Sequence, residues 1–339
     1  MPKRFLGNIM TDVPTAPAGP FQDGAASGVW SLAEALSYTK GGLWPITGNA
    51  ATIGLLMGRT DAYNSIEKII ITTLGNSTDV GDLSSQKLRG AAVGSTTRAV
   101  HGGGYNVTGE SRNNVIDFVT FSSLGTAGDF GDLTVGRSAV TSMGNATRGV
   151  WAGGTESGGK TDTMDYIAIA SEGNATDFGN ISAVRNHSGG FASTTRGVIG
   201  GGLDTNNATV NIIEYITIDS TGNMTDFGNR TNSVYGAYGA SSNTRGLFAG
   251  GYNTINVIDY VTIANTGDAT DFGDLSNGGH WKASASNNLR AVFAGGGGSG
   301  YDAIEYVTIA STGNAADFGD LTGNRILAGT SNSHGGLAA

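Results

Sequence analysis

The chain has 339 residues, no cysteine and a formal net charge of −9, from 19 Lys and Arg against 28 Asp and Glu. That balance opposes nucleic-acid binding, which draws its affinity from Lys and Arg displacing counterions at phosphates. The absent thiols exclude disulfides, thiol nucleophiles and Cys-based metal sites. Lys3 and Arg4 are followed by no apolar signal-peptide core, and no stretch approaches membrane-spanning length, so no membrane insertion is expected.

In chain order, the first fifty residues stand apart. All five prolines, Pro2, Pro14, Pro17, Pro20 and Pro45, fall there, and paired internal strands have little room for a residue that cannot donate to a ladder. The chain is therefore divided into an N-terminal attachment arm, residues 1–50, and a repeat domain, residues 51–339. The arm's start, rich in Pro, Ala, Gly and Thr, predicts an extended segment that orders on a partner. A short helix is predicted near 31–40: Ser31 and Glu34 make a capping box, Trp30 staples onto Ala35, and Gly41 ends it. A helix that short needs a docking surface. Trp30, Leu32, Leu36, Tyr38, Leu43 and Trp44 are the anchoring candidates, on a partner or on the protein's own first repeat.

From residue 52 onward the chain repeats itself. Asp-Phe-Gly-[Asp/Asn] begins at Asp129, Asp177, Asp226, Asp271 and Asp317, with Asp79-Val80-Gly81-Asp82 as a worn first copy; the intervals are 50, 48, 49, 45 and 46 residues. The fifth copy shows the unit best: Thr244 to Gly251, a variable loop, Val257 to Ala264, a turn at Gly267, and Asp271 to Leu275. A fourth short segment, such as Arg137 to Met143, links one unit to the next. Each piece is strand-length and rich in Tyr, Ile, Val, Thr and Phe. The strand around Tyr260 is apolar on both faces, as expected between layers.

Four strands repeated six times without a helical period predict an all-β fold, a six-bladed β-propeller. The first copy lacks its first strand and the chain ends with an orphan one, Arg325 to Asn332. That C-terminal strand should close blade one.

The Arg-initiated strand, the strand ending in Gly-Gly (Gly103-Gly104, Gly153-Gly154, Gly250-Gly251) and the acidic-aromatic strand (Asp165-Tyr166, Glu214-Tyr215, Asp259-Tyr260) resemble kelch repeats over roughly residues 52 to 332. The outer aromatic is Phe here, where kelch repeats usually carry Trp. The resemblance implies the propeller fold and says little about function. A second likeness lies in Ser27 to Pro45. It resembles a short segment near the start of structural and tail-fibre proteins of marine bacteriophages, cyanophages especially. That resemblance implies a virion protein, assembled in the host cytoplasm and carried at the virion surface, with other virion structural proteins as partners of the arm.

Catalytic and metal chemistry find little support in the pattern. Asp-Phe-Gly recurs in five copies without a phosphate loop, so it reads as a strand end. Asp268, Asp271 and Asp274 are spaced by three, which in a strand puts neighbours on opposite faces; calcium needs six or more gathered oxygens. Asx turns and edge hydrogen bonds are the simpler account. His101, His187, His280 and His334 sit at different repeat phases and read as surface residues. No enzyme, cofactor or metal is expected, although a propeller axis can gather distant side chains.

The variable loop offers recognition. It runs for 11, 9 and 10 residues in copies two to four but 6 and 7 in copies five and six, so one side of one face should stand proud. Tyr105, Asn106, Glu110, Arg112, Glu156, Lys160, Asp204, Asn206 and Asn207 are the candidate receptor-binding residues, suited to a host-surface glycan. The expectation is a non-enzymatic phage virion structural protein, of tail-fibre, tail-associated or head-decorating type, displaying its propeller. The alternative is a free carbohydrate-binding or adaptor propeller.

Overall fold

The computed structural model describes residues 52–59, 64–106, 109–296, 302–323 and 326–337. The arm, its predicted helix and all six anchoring candidates lie outside these residues. Those described form six four-stranded antiparallel sheets, each a blade of a ring. Blade three shows the order from the axis outward: Thr141–Gly144, Arg148–Ala152, Thr163–Ala168 and Thr176–Asn180.

The ring closes as expected. Ile326–Ser331 pairs with Ile53–Arg59, placing Ser331 opposite Gly54 and Ala328 opposite Met57. The backbone of Ile53 also donates to Asn332 Oδ1 at 2.9 Å. The last strand is thus the inner strand of blade one, and it packs between the inner strands Ala283–Ser286 and Ala91–Gly94.

No single core fills the molecule. The apolar residues form six wedges, each between two neighbouring blades, such as Val100, Phe130 and Leu133 of blade two with Trp151 and Ile167 of blade three. This explains why third strands are apolar on both faces: Ile258 and Val261 point into different wedges, and both are buried.

The repeated wording has a packing reason. Between the third and outer strands the register shifts at the acidic residue in all six blades. In blade three Asp177 faces Asp165 and Gly179 faces Met164, leaving Phe178 as the bulged residue. Phe178 is driven into the wedge, edge-on to Tyr166 at 5.8 Å. Gly179, at φ 138, meets the next blade so closely that a Cβ would sit 2.4 Å from the Gly222 carbonyl oxygen. Beside it, Asn223 Oδ1 accepts the Asn180 backbone N–H at 3.0 Å. The turn of one blade therefore caps the outer strand of the blade before it, which is the edge hydrogen bond expected of the Asn and Asp residues.

Two charged devices complete the ring. In blades two to six, the Arg opening the second strand lies over the aromatic of its own third strand and reaches the next blade. Arg245, 4.4 Å from the Tyr260 ring centroid, donates to Ile309 O at 2.9 Å and Ala310 O at 3.0 Å. The acid of the third strand is buried and paired with a cation just before the inner strand: Lys87 with Asp117 at 2.8 Å, Arg137 with Asp165 at 2.5 Å, Arg185 with Glu214, Arg230 with Asp259 at 2.9 Å and Lys282 with Glu305 at 3.2 Å. Hydroxyls from the preceding blade's end add to these, as Thr134 Oγ1 does to Asp165 at 2.6 Å.

Candidate functional site

Second strands end, and inner strands begin, on one face of the ring. The variable loops of blades three, four and five emerge there, as do the described parts of that of blade two. Tyr105–Asn106 pairs with Ser111–Arg112 in one hairpin, and Thr155–Glu156 with Gly159–Lys160 in another. In blade four, Asp204 Oδ1 accepts the N–H groups of Asn206 and Ala208, both at 2.8 Å, and forms a local Asx turn. Lys160 crosses to that turn, donating to Asn207 Oδ1 at 2.6 Å. The loop candidates of blades three and four thus share one surface, with Asn206 and Asn207 exposed and Glu156, Lys160 and Asp204 half-buried. Tyr105 and Asn106 are half-buried in blade two, and Arg112 is exposed.

The centre of this face holds what sequence reasoning missed. Two residues before the inner strands of blades two to six, the backbone enters the left-handed region at Arg89 (φ 60), Ala139 (φ 55), His187 (φ 56), Gly236 (φ 70) and Trp281 (φ 55). The five form a hydrogen-bonded arc around the axis. Ala139 N donates to Arg89 O at 2.7 Å, His187 N to Ala139 O at 3.0 Å, Gly236 N to His187 O at 2.9 Å, and Trp281 N to Gly236 O at 3.0 Å. Short contacts between neighbouring blades require this turn; the identity of the side chain does not follow from it, since Ala139 and Gly236 both occupy it.

Arg89, His187 and Trp281 of the arc join Tyr235, Tyr252 and His280 beside it in an aromatic cluster. The Arg89 guanidinium lies 4.4 Å from the Trp281 ring centroid, and His187 stacks on Trp281 at 5.6 Å. Tyr235 stacks on Tyr252 at 4.7 Å, and His280 contacts both Tyr252 and Trp281. Burial pushes the His187 imidazole down to about 3, helped by the charges of Arg89, Lys160 and His280, so the ring is neutral near pH 7. Neither of its nitrogens has a hydrogen-bond partner among the described residues, and neither has Trp281 Nε1.

Below the arc runs an axial cavity of about 150 Å3, walled by the small residues of the inner strands and lined by no Asp, Glu or Cys among the described residues. The chain's own C-terminal residues close the far end. His334 Nε2 donates to Gly94 O at 2.8 Å and Gly335 N to Ser241 O at 3.1 Å, bridging opposite sides of the ring, while Leu337 is buried. The cavity thus opens toward the loop-bearing face.

The histidines correct the sequence reading. None is background: His101 is buried in the second strand of blade two, His187 and His280 meet at the axial mouth, and His334 belongs to the plug. Against the constant residues of the repeat, the four histidines fall at unrelated positions. The shared position two residues before the inner strand, where Arg89, His187 and Trp281 fall, was the available signal. The chain matches no protein-family model and no curated protein.

Proposed function

We propose that this chain is a non-enzymatic phage virion structural protein with kelch-like repeats, in which residues 1–50 attach to other virion proteins and the propeller is displayed at the particle surface for host contact. The observation that carries the reading is the contrast between the two faces. One is closed by the chain's own C-terminal residues, whereas the other gathers the variable loops around an aromatic mouth. Recognition surfaces have that composition, with aromatic and Arg anchors inside a polar rim. Many displayed copies would convert weak single contacts into avidity. The phage assignment rests on the likeness of Ser27 to Pro45 to segments in marine phage structural proteins.

Gold-labelled antibodies against the propeller, applied to intact particles, test it. Surface labelling that disappears when residues 1–50 are deleted supports the reading. Particles without the protein, or labelling unaffected by the deletion, overturn it. The aromatic mouth equally suits a free carbohydrate-binding propeller, and absence from particles would favour that alternative.

A further inference from the structure

The recognition half of that reading can be sharpened, and this inference rests on it. We propose that the axial mouth is a subsite for one carboxylate-bearing sugar residue, such as a terminal hexuronate. Arg89 takes the carboxylate, His187 and Trp281 hydrogen-bond ring hydroxyls, and Tyr252 offers its face to the sugar ring.

Four observations support this. First, Arg89 is exposed and has no carboxylate partner among the described residues, while five other cations of the same connecting segments are paired with buried acids. In a chain of net charge −9, a guanidinium with no carboxylate partner among the described residues is placed to receive an anion bidentately. Second, the neutral His187 ring supplies one donor and one acceptor, and the Trp281 indole supplies a donor, all without partners. A hydroxyl, which both donates and accepts, completes such a set. Unfilled, these groups carry a desolvation cost. Third, bulky side chains occupy left-handed backbone at Arg89, His187 and Trp281, where Gly236 would serve the turn at lower cost. Fourth, Tyr252 is one of only two large apolar side chains exposed among the described residues, and it flanks this mouth. A cavity of about 150 Å3 suits one small ring and excludes a polymer from passing through. The absence of Asp and Glu from its lining among the described residues leaves a carboxylate unopposed.

The test uses the full chain and free glucuronate and glucose, with affinities from titration calorimetry and contacts from saturation-transfer NMR. Glucuronate is expected to bind at least about tenfold more tightly than glucose. Arg89→Gln should erase that preference while the circular dichroism spectrum and melting temperature stay near wild type. Trp281→Phe, which keeps the ring and removes the N–H, should weaken both sugars together. Equal binding of the two sugars, no binding of either, or a preference unchanged in Arg89→Gln overturns the proposal. Glucuronate binding abolished by Asn206→Ala with Asn207→Ala but not by Arg89→Gln overturns it too, and leaves loop recognition standing. Particle labelling is unaffected by any of these outcomes, so the two readings fail separately.

Discussion

Arg137 Nη2 lies 2.5 Å from Asp165 Oδ2, and both side chains are fully buried. The same guanidinium donates to the Gly153 carbonyl at 3.1 Å and to Thr163 O at 2.6 Å. One cation thereby joins the segment entering blade three to its second and third strands. Because Thr134, arriving from blade two, donates to the same carboxylate at 2.6 Å, the pair also registers one blade against the next.

Asp165→Asn should destabilise the protein by about 3–5 kcal/mol, because it strands a buried guanidinium rather than removing a weak surface bridge. The urea midpoint should fall with an unchanged slope. Replacing both partners, Arg137→Met with Asp165→Leu, should cost far less than the two single changes added together.

Gly179→Ala tests the contact that fixes the repeat. The added methyl would sit 2.4 Å from the Gly222 carbonyl, on backbone at φ 138. Separation of blades three and four is the only relief, and a loss of about 1–3 kcal/mol is expected from overpacking. Gly158→Ala, where nothing lies within 4 Å of the new methyl, should be nearly silent by the same thermal melt.

These two relationships mark what was readable from residues alone. The blades, their strand order and the C-terminal closure followed from periodicity, since a repeated unit must solve one packing problem repeatedly. The acids of the third strands were visible as well, being part of the constant wording. Their partners were not: Lys87 lies 30 residues before Asp117 and Arg137 lies 28 before Asp165, in segments that vary in length. The axial cluster was hidden more deeply. Arg89, His187 and Trp281 belong to three blades and meet only because the ring brings equivalent positions together.

Stability should fall as the pH drops from about 6.5 to about 3. Burial, aided by the Lys87 charge, holds native His101 down at about 3, and burial holds His187 there also, against an unfolded value of 6.5. Across that window the unfolded chain binds more protons, so protonation favours unfolding; above it the full stability is present. His101→Phe, the residue found at the equivalent positions Phe248 and Phe293, should flatten the slope by up to about 1.4 kcal/mol per pH unit. Urea midpoints measured from pH 7 to pH 4 provide the check.

Arg245→Lys should weaken the joint between blades five and six. The guanidinium both stacks on Tyr260 and donates to two adjacent carbonyls, Ile309 O and Ala310 O. An ammonium cannot hold that planar geometry, so a loss of about 1–2 kcal/mol is expected. Amide exchange should quicken at the turn after Ala303–Thr308 rather than throughout the ring.

Removing residues 333–339 separates closure of the ring from closure of the channel. The strand Ile326–Ser331 and the Ile53 bond to Asn332 remain, so the propeller should still fold. What is lost is the burial of Leu337, worth about 2 kcal/mol, and the His334 bridge to Gly94. Burial also lowers the His334 imidazole, so its removal should reduce the acid sensitivity described above. Hydrogen exchange should rise at Gly94, Gly144 and Ser241, the inner-strand ends that the plug covers, and stay unchanged at the Arg89 end. An unfolded truncation would instead mean that the last residues complete the ring itself, and that closure extends past the final strand.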